Sequence, residues 1–532
     1  MPLSYVTLAP VPRISLIYFV SLVLVASACA PSPKRVVLLV DGTRRVVDTE
    51  QVTVQDVLRE QNVALGDNDR VEPPVFAPMD RSATITVTRV QVTTETARQP
   101  IPFERKLVRD ETFPESQMRV LQLGANGQIV ITYTITMENG QETERRETAR
   151  EIVIQPKNEI LALGTLGSLS SVAVAGSVVY LANGNAWVMR NSSLDKRPLT
   201  STGDLDGRAF SLSADGRYLL FSRAADSSSN ALNTLWLMDT LVLGETPRAL
   251  SVGDVLYTQL AGDARSIVYS TGEKTAGAPG WKAHNDLWLA PLATNEIGST
   301  QTITLSPKML WNPGMPAPYS WWGANFALAP DNRAIAYGFA NELGFSEIGG
   351  ASLAPRQAFK TFAPFRTYAD WVWVPQVAWS PDSRFVVAAV HAPLDSPVVA
   401  NDNPTFEIWA LARDGSVRAP LAKQTGMWTA PAWSPPDAKG ESQIAFGVAL
   451  SPSDSERSRY ALYVMDRDGG NKKQIFPTST EDGLTVVQVA WAPSARQLIA
   501  VRDNDLWLYD FATARWSQLT ANGASAVPRW GK

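Results

Sequence analysis

Few residues in this chain could form a familiar catalytic or metal-binding set. The 532 residues include two histidines, His284 and His391, and one cysteine, Cys29. The sequence has no HExxH pair and no Gly-x-Ser-x-Gly motif, so it predicts neither a zinc peptidase site nor a serine-hydrolase nucleophile. A histidine far from other ligand-type residues is more often structural or exposed than catalytic. We therefore predict a non-catalytic protein with no cofactor and no metal.

Carboxylates leave one enzymatic alternative open. The chain has 52 Asp and Glu residues, and a glycosidase needs only one suitably placed pair. The alternative function is therefore a glycan-active enzyme of the cell envelope, a glycosidase or a lyase. Residues 466–471 (DRDGGN) resemble the start of a calcium loop, but Pro477 occupies the twelfth position where such a loop needs Glu. A hairpin turn is the prediction there.

Tryptophan is the residue type that most suggests ligand binding. Of the 17 tryptophans, Trp322, Trp373 and Trp428 each lie five or six residues before a large residue that recurs in the strands of a repeat. Loops at that position surround the central channel of a propeller, and an exposed indole suits the flat apolar face of a sugar or a peptide side chain. We expect a ligand-binding channel rim in which all three rings are partly exposed. The alternative is that they pack between sheets.

A repeat that covers residues 170–532 must position these tryptophans. Its clearest copies are VAWSPDSRFVVA (377–388) and VAWAPSARQLIAV (489–501), and a second strand led by an aromatic residue follows most copies. Pro and Asp in the turn favour a tight connection between two strands. A large residue recurs at the third strand position, 38 to 68 residues apart: Val174, Leu212, Leu260, Leu328, Trp379, Trp433 and Trp491.

This repeat resembles those of Tol-system and WD-like propellers. The resemblance implies a mainly β protein whose bulk is a seven-bladed β-propeller, with six or eight blades as alternatives. The segment 526–530 (AVPRW) looks like the start of another copy, since Trp530 follows Trp491 by 39 residues. We expect this last strand to complete the first sheet and so remove two open edges.

A small module occupies residues 35–75. Asp41-Gly42 between two apolar runs predicts a β-hairpin, and Thr53 is placed to cap a short helix with Val54, Val57 and Leu58 on one face. With the following GDNDRVEP, this order resembles the ubiquitin-like domain of resuscitation-promoting factors and related cell-wall proteins. The lysozyme-like domain that accompanies it in those factors is not predicted here.

Residues 83–165 read as extended β structure. The segment ATITVTRVQVTTET alternates with the period of a half-exposed strand, and Asn139-Gly140 is the clearest hairpin turn. The spaced glycines, the segment 102–104 (PFE) and the closing Gly164-Thr165 resemble a G-five domain. That resemblance implies a surface module that binds glycans containing N-acetylglucosamine. The equal alternative is an elongated spacer.

The N-terminus resembles a bacterial lipoprotein signal in residues 1–29. Arg13 precedes an apolar run at 14–25, and Ala26-Ser27-Ala28-Cys29 is similar to a lipobox, which implies lipidation of Cys29. An ordinary signal peptide is the alternative. We thus expect an exported protein held at the outer face of a membrane. Its net charge of −4 and lack of a basic tract argue against nucleic acid as a partner, which leaves the membrane, wall glycan and envelope proteins.

Overall fold

The computed structural model describes residues 33–532 apart from 116, 167–168, 227, 293–302, 312–317, 350–351, 354–355 and 395–397. Cys29 and the predicted signal lie outside this range. Strands dominate the described part, which agrees with the predicted mainly β class, and no helix in it is long and apolar enough to cross a membrane. The chain divides into two compact units, residues 1–104 with 124–158 and residues 105–123 with 159–532.

The first unit begins with a mixed four-stranded sheet and one helix. Its elements are β1 (Lys34–Val40), β2 (Thr43–Thr49), α1 (Val54–Glu60), β3 (Arg70–Glu72) and β4 (Thr84–Thr88). The sheet order is β2-β1-β4-β3, with β1 antiparallel to β2 and parallel to β4. Asp41 and Gly42 both have positive φ in the predicted turn, and the Thr53 side chain accepts from the Asp56 backbone N–H at the predicted cap.

The core of this module also draws on β4, which the sequence had placed in the next module. Ile85 and Val87 are buried with Val36, Leu38 and the three predicted apolar residues of α1. The alternating segment that begins near residue 83 is thus shared between two sheets. The predicted alternation of buried and exposed residues is present in β4. It is absent from the strand that follows, whose residues are mostly exposed.

Six longer strands come next: β5 (Val90–Ile101), β6 (Arg105–Pro114), β7 (Met118–Gln122), β8 (Gly127–Glu138), β9 (Gln141–Ile154) and β10 (Glu159–Leu166). In the first unit β5, β8 and β9 form an antiparallel sheet with β8 in the centre. The Asn139-Gly140 turn joins β8 to β9, as predicted. In the second unit β10 lies between β6, to which it is parallel, and β7, to which it is antiparallel.

The rest of the second unit is a series of antiparallel sheets, seven in the described residues. The first sheet contains β11 (Ala173–Ala182), β12 (Asn185–Pro198) and the last strand of the chain, β39 (Ser525–Gly531). The second contains β13 (Leu205–Leu212), β14 (Tyr218–Ala224), β15 (Asn233–Asp239) and β16 (Arg248–Gly253), and the third contains β17 (Val255–Leu260), β18 (Ser266–Lys274), β19 (Trp281–Ala283), β20 (Leu287–Pro291) and β21 (Lys308–Trp311). The fourth contains β22 (Asn325–Leu328), β23 (Ala334–Phe339), β24 (Glu342–Gly349), β25 (Ser352–Leu353) and β26 (Gln357–Thr361), and the fifth contains β27 (Val377–Trp379), β28 (Phe385–His391), β29 (Phe406–Ala412) and β30 (Arg418–Ala422). The sixth contains β31 (Ala432–Trp433), β32 (Gln443–Ala449), β33 (Tyr460–Asp466) and β34 (Lys473–Phe476), and the seventh contains β35 (Val489–Trp491), β36 (Gln497–Arg502), β37 (Asp505–Asp510) and β38 (Arg515–Gln518).

Neighbouring sheets contact one another through their first strands. These contacts run β13–β17, β17–β22, β22–β27, β27–β31 and β31–β35, while β39 contacts both β35 and β13. Because β39 pairs with β11, the first sheet has the order β12-β11-β39. Val174 therefore lies on the middle strand of its sheet, whereas the other six recurring large residues lie on first strands. The sequence was wrong to treat all seven as equivalent. The arrangement is propeller-like.

Apolar packing joins each sheet to the next. Trp379 and Trp491, two of the recurring large residues, are both 7% exposed. Their indole N–H groups donate to carbonyl oxygens on the first strand of the preceding sheet, Ala327 at 2.9 Å and Ala432 at 3.2 Å. Each indole thus fills the space between two sheets and also bonds across it. A large residue at this strand position therefore packs between neighbouring sheets.

Candidate functional site

The candidate site is a pocket whose walls are tryptophans from three consecutive repeats. Trp322 precedes β22, Trp371 and Trp373 precede β27, and Trp428 precedes β31. Because these first strands contact in series, the segments that lead into them meet. Their side chains enclose about 420 Å³, which we call the Trp pocket. The three predicted residues therefore do line one pocket.

Trp373 differs from its prediction, because its ring is buried rather than exposed. Only 2% of the residue is accessible, and its indole N–H donates to the Met427 carbonyl oxygen at 3.0 Å. Its ring centroid lies 4.7 Å from that of Phe406, a residue of β29. Trp373 therefore forms the floor of the pocket and packs into the core beneath it. For this residue the alternative of core packing is the correct one.

Trp428 and Trp322 are more accessible, in line with the predicted rim. Trp428 is 36% exposed, its indole N–H donates to the Glu456 carbonyl oxygen at 3.3 Å, and its ring lies against that of Trp371 with centroids 5.4 Å apart. Trp322 is half-buried, with its ring centroid 4.9 Å from that of Trp281.

A buried tyrosine fixes the backbone beside Trp428. The Tyr460 hydroxyl donates to the Ser455 carbonyl oxygen at 2.7 Å and accepts from the Trp428 backbone N–H at 3.1 Å. Burial raises the pKa of Tyr460 to about 12, so the hydroxyl keeps its proton at neutral pH. The pocket wall therefore rests on a fixed hydrogen-bond donor and acceptor, which favours a preformed site.

The sequence did not predict Trp371 or Trp281 as site residues. Trp371 was visible as a second tryptophan two positions before Trp373, but the sequence could not say which of the two faces the pocket. Trp281 lies on β19, an extra strand that pairs with β18 and has no counterpart in the repeat pattern. The sequence carried no signal for its contact with Trp322.

The other residues considered for catalysis or metal binding do not line the Trp pocket. His391 is buried, and its ring nitrogens lie 2.6 Å from the carbonyl oxygens of Ala363 and Asn403. His284 is exposed and contacts Thr271. At residues 466–471, Asp466 accepts from the Asn471 side-chain amide at 2.6 Å within the turn between β33 and β34, which fits the predicted hairpin. Within the described ranges no three His, Cys, Asp or Glu side chains cluster as metal ligands.

Two family models match the N-terminal third of the chain. Residues 92–166 match the G5 domain. Residues 36–75 match the G5-linked ubiquitin-like domain, so both resemblances noted in the sequence are supported. The G5 match covers the sheets β5-β8-β9 and β6-β10-β7 except for the first two residues of β5. The ubiquitin-like match covers β1, β2, α1 and β3 except for the first two residues of β1.

Curated relatives share these modules rather than the repeat region. The chain is 29% identical over 157 residues to resuscitation-promoting factor RpfB of Mycolicibacterium smegmatis, which covers 29% of this chain and 41% of that protein. It is 25% identical over 125 residues to the Bacillus subtilis protein described as "Putative cell wall shaping protein YabE", covering 23% and 31%. The chain thus spans less than half the length of either relative.

Solved structures resemble the two parts of the chain separately. The G5 domain of an IgA1 protease is 24% identical, with 15% of this chain and 93% of that one covered and a TM-score of 0.13. The Agrobacterium tumefaciens protein described as "putative TolB" is 16% identical, with 58% and 90% covered and a TM-score of 0.32.

Proposed function

We propose that this chain is a non-catalytic lipoprotein of the cell envelope that binds its ligand in the Trp pocket. In this proposal residues 170–532 form a closed seven-bladed propeller, and the modules at 35–75 and 83–165 hold it close to the wall glycan. The observation that carries the proposal is the pocket of about 420 Å³ walled by Trp322, Trp371, Trp373 and Trp428.

The chemistry of the pocket favours binding of a flat apolar surface. The indole N–H groups of Trp373 and Trp428 are already used by backbone carbonyls. The accessible ring of Trp428, which is 36% exposed, therefore offers its face rather than its polar edge to a ligand, above the buried floor that Trp373 forms. Ring faces suit the C–H face of a sugar or an apolar peptide side chain, and they cost little conformational entropy because their positions are fixed.

The wall association is supported by the two matched modules and by relatives named for cell-wall shaping and resuscitation. A peptidoglycan binding experiment, combined with the pocket variant described below, decides whether residues 83–165 contact N-acetylglucosamine-containing glycan or act as a spacer. Purified peptidoglycan is mixed with the full chain, and the pelleted fraction is measured beside an assay for released soluble fragments. Retention without release supports the proposal, whereas fragments would favour the glycosidase or lyase alternative.

One variant assigns the retention to the Trp pocket. Trp428→Ala removes an accessible ring, and losing such an anchor typically weakens binding by roughly 1–3 kcal/mol. Leu243→Ala is the matched control, since Leu243 is 81% exposed and does not line the pocket. If peptidoglycan is retained equally by Trp428→Ala, Leu243→Ala and the parent, the Trp pocket is not the site and the modules at 35–165 carry the binding.

The proposed anchor has its own test. Cys29→Ser removes the thiol that an acyl transferase would modify, so the variant should move from the membrane pellet to the soluble fraction. Cell fractionation followed by immunodetection measures this. Membrane retention of Cys29→Ser at the level of the parent would contradict lipidation at Cys29.

A further inference from the structure

A second pocket, larger than the Trp pocket, lies beside β18 and β20. It encloses about 950 Å³, and its walls include Tyr269, Thr271, His284, Asp286, Trp288 and Trp321. Neither the matched modules nor the repeat pattern accounts for it. We call it the His284 pocket. Its polar groups are organised around one carboxylate, and the organisation determines what the pocket can bind.

Asp286 is saturated by hydrogen bonds from the protein. It is 3% exposed. One oxygen accepts from the Thr271 backbone N–H at 2.7 Å and the Ser270 hydroxyl at 3.2 Å, and the other accepts from the Thr271 hydroxyl at 2.5 Å and the Trp288 indole at 2.7 Å. With four donors in place, this carboxylate anchors the wall and has little capacity left for a ligand.

The same network fixes the tautomer of His284. The Thr271 hydroxyl has one proton, and it is donated to Asp286, which can only accept. The Thr271 oxygen therefore accepts from His284 Nδ1, which lies 2.9 Å away. Nδ1 therefore carries a proton, and in this tautomer Nε2 has a free lone pair. In the described part of the chain Nε2 has no hydrogen-bond partner, and the residue is exposed.

Two aromatic surfaces stand beside this acceptor. The ring of Trp288 is stacked on Tyr269 and held by its bond to Asp286, while Trp321 is 37% exposed. The other charged residue that lines the pocket is Lys282. Its Nζ lies 3.3 Å from Glu273 Oε1, so the two charges are paired. The pocket thus combines ring faces with a neutral hydrogen-bond acceptor, which complements an uncharged ligand with an apolar face and a rim of hydroxyl groups.

The His284 pocket is linked to the Trp pocket by lining residues that neighbouring pockets share. Trp321 lines both the His284 pocket and a smaller pocket of about 250 Å³, and Trp371 lines both that smaller pocket and the Trp pocket. The turn that carries Trp321 is fixed to β19, because the Ala283 backbone N–H donates to the Trp321 carbonyl oxygen at 2.9 Å. A single extended ligand could therefore contact all three pockets in turn.

We infer that the His284 pocket is a sugar subsite and that the three adjoining pockets bind successive units of one glycan chain. His284 Nε2 accepts from a sugar hydroxyl, and Trp288 and Trp321 pack against the ring face. Thr271 is a positioning residue, since it holds the imidazole in the form that accepts. The inference rests on the proposed binding function and names its ligand class.

The test compares short and long saccharides on the full chain. Titration calorimetry with N-acetylglucosamine and with its β-1,4-linked tetramer should show tighter binding of the tetramer. His284→Ala should weaken tetramer binding about tenfold, the value of one well-made hydrogen bond. Leu243→Ala serves as the control. If His284→Ala binds the tetramer like the parent while Trp428→Ala does not, the subsite is wrong and the Trp pocket stands. If the parent binds neither saccharide, both proposals are wrong for this sugar class.

The tautomer provides a second readout that a merely structural role would not change. With only two histidines in the chain, ¹⁵N-histidine labelling gives two pairs of imidazole nitrogen signals, and His284→Ala assigns each pair. We expect Nδ1 of His284 to be protonated and Nε2 to shift when the tetramer is added. Thr271→Val should release the tautomer and weaken binding, and Thr271→Ser should restore both. A shift caused by a wall stem peptide and not by saccharide would overturn the glycan assignment.

Discussion

The long sheet β5-β8-β9 and the repeat sheets are built from the same secondary structure but draw their stability from different sources. All fourteen residues of β9 are exposed, whereas all six residues of β23 are buried. In β8 only every fourth residue is buried: Gly127, Ile131 and Ile135. The long sheet therefore has almost no apolar core of its own, while each repeat sheet is buried on both faces by its neighbours.

What holds the long sheet together is its backbone ladder. β5 pairs with β8 without a register shift from Val90 opposite Glu138 to Ile101 opposite Gly127. Its surface adds ion pairs such as Arg145 with Glu95 at 3.0 Å and Arg150 with Glu147 at 2.9 Å. Such pairs between exposed groups contribute little in water. A region of this kind should tolerate side-chain changes, whereas a packed series of sheets should not.

The strongest challenge to this comparison is removal of β39. Deleting residues 524–532 removes β39, which leaves β11 with an open edge and takes away the strand that contacts β35 and β13. We expect aggregation or a large fall in melting temperature, measured by calorimetry and size-exclusion chromatography. Trp530→Ala keeps the strand and should melt much closer to the parent. A deletion variant that melts like the parent would mean that the proposed ring does not depend on this strand.

The next largest effect is expected at the floor of the Trp pocket. Trp373→Ala removes a ring that is 2% exposed, and truncating a buried Trp typically costs about 3–5 kcal/mol of unfolding free energy. Trp428→Ala, at 36% exposure, should cost less than about 1 kcal/mol. Urea denaturation of the two variants separates them. Equal losses would show that the two rings have the same structural role.

These two tryptophans also show where prediction from sequence stops. Both precede a repeat strand at nearly the same distance, so the pattern treated them alike. Their difference depends on Phe406, which lies on another strand and covers Trp373. The sequence did predict the hairpins at Asp41-Gly42 and Asn139-Gly140, because a two-residue turn with positive φ leaves few alternatives. Contacts across elements follow no such local rule.

The His284 network illustrates the same limit. Thr271, His284 and Asp286 lie within sixteen residues, but Thr271 is on β18, and the other two belong to the segment between β19 and β20. Their contact depends on how β18 pairs with both strands, and β19 was not part of the repeat. Val174 was misplaced for a related reason: the sequence showed a repeated residue, while strand pairing decided which position in the sheet it takes.

A moderate effect is expected where the first unit does pack closely. A Cβ atom on Gly124 would lie 2.4 Å from ring carbons of Phe103, so Gly124→Ala forces that ring to move. We expect a loss of about 1–3 kcal/mol, as in other overpacked sites, measured by chemical denaturation. Gly66→Ala is the control, because its new Cβ would meet Asp69 at an ordinary 3.6 Å. Equal behaviour of the two variants would contradict close packing at Gly124.

The smallest effect is expected on the long sheet itself. Arg145 forms ion pairs with Glu95 at 3.0 Å and Glu142 at 2.8 Å, and its hydrogen bonds with these carboxylates, Glu142 foremost, raise its pKa. All three side chains remain in contact with water, so solvent and salt screen the attraction. Arg145→Ala should therefore melt within measurement scatter of the parent at physiological salt. A clear loss of stability that disappears at high salt would show that charge pairs, and not the backbone ladder alone, hold this sheet together.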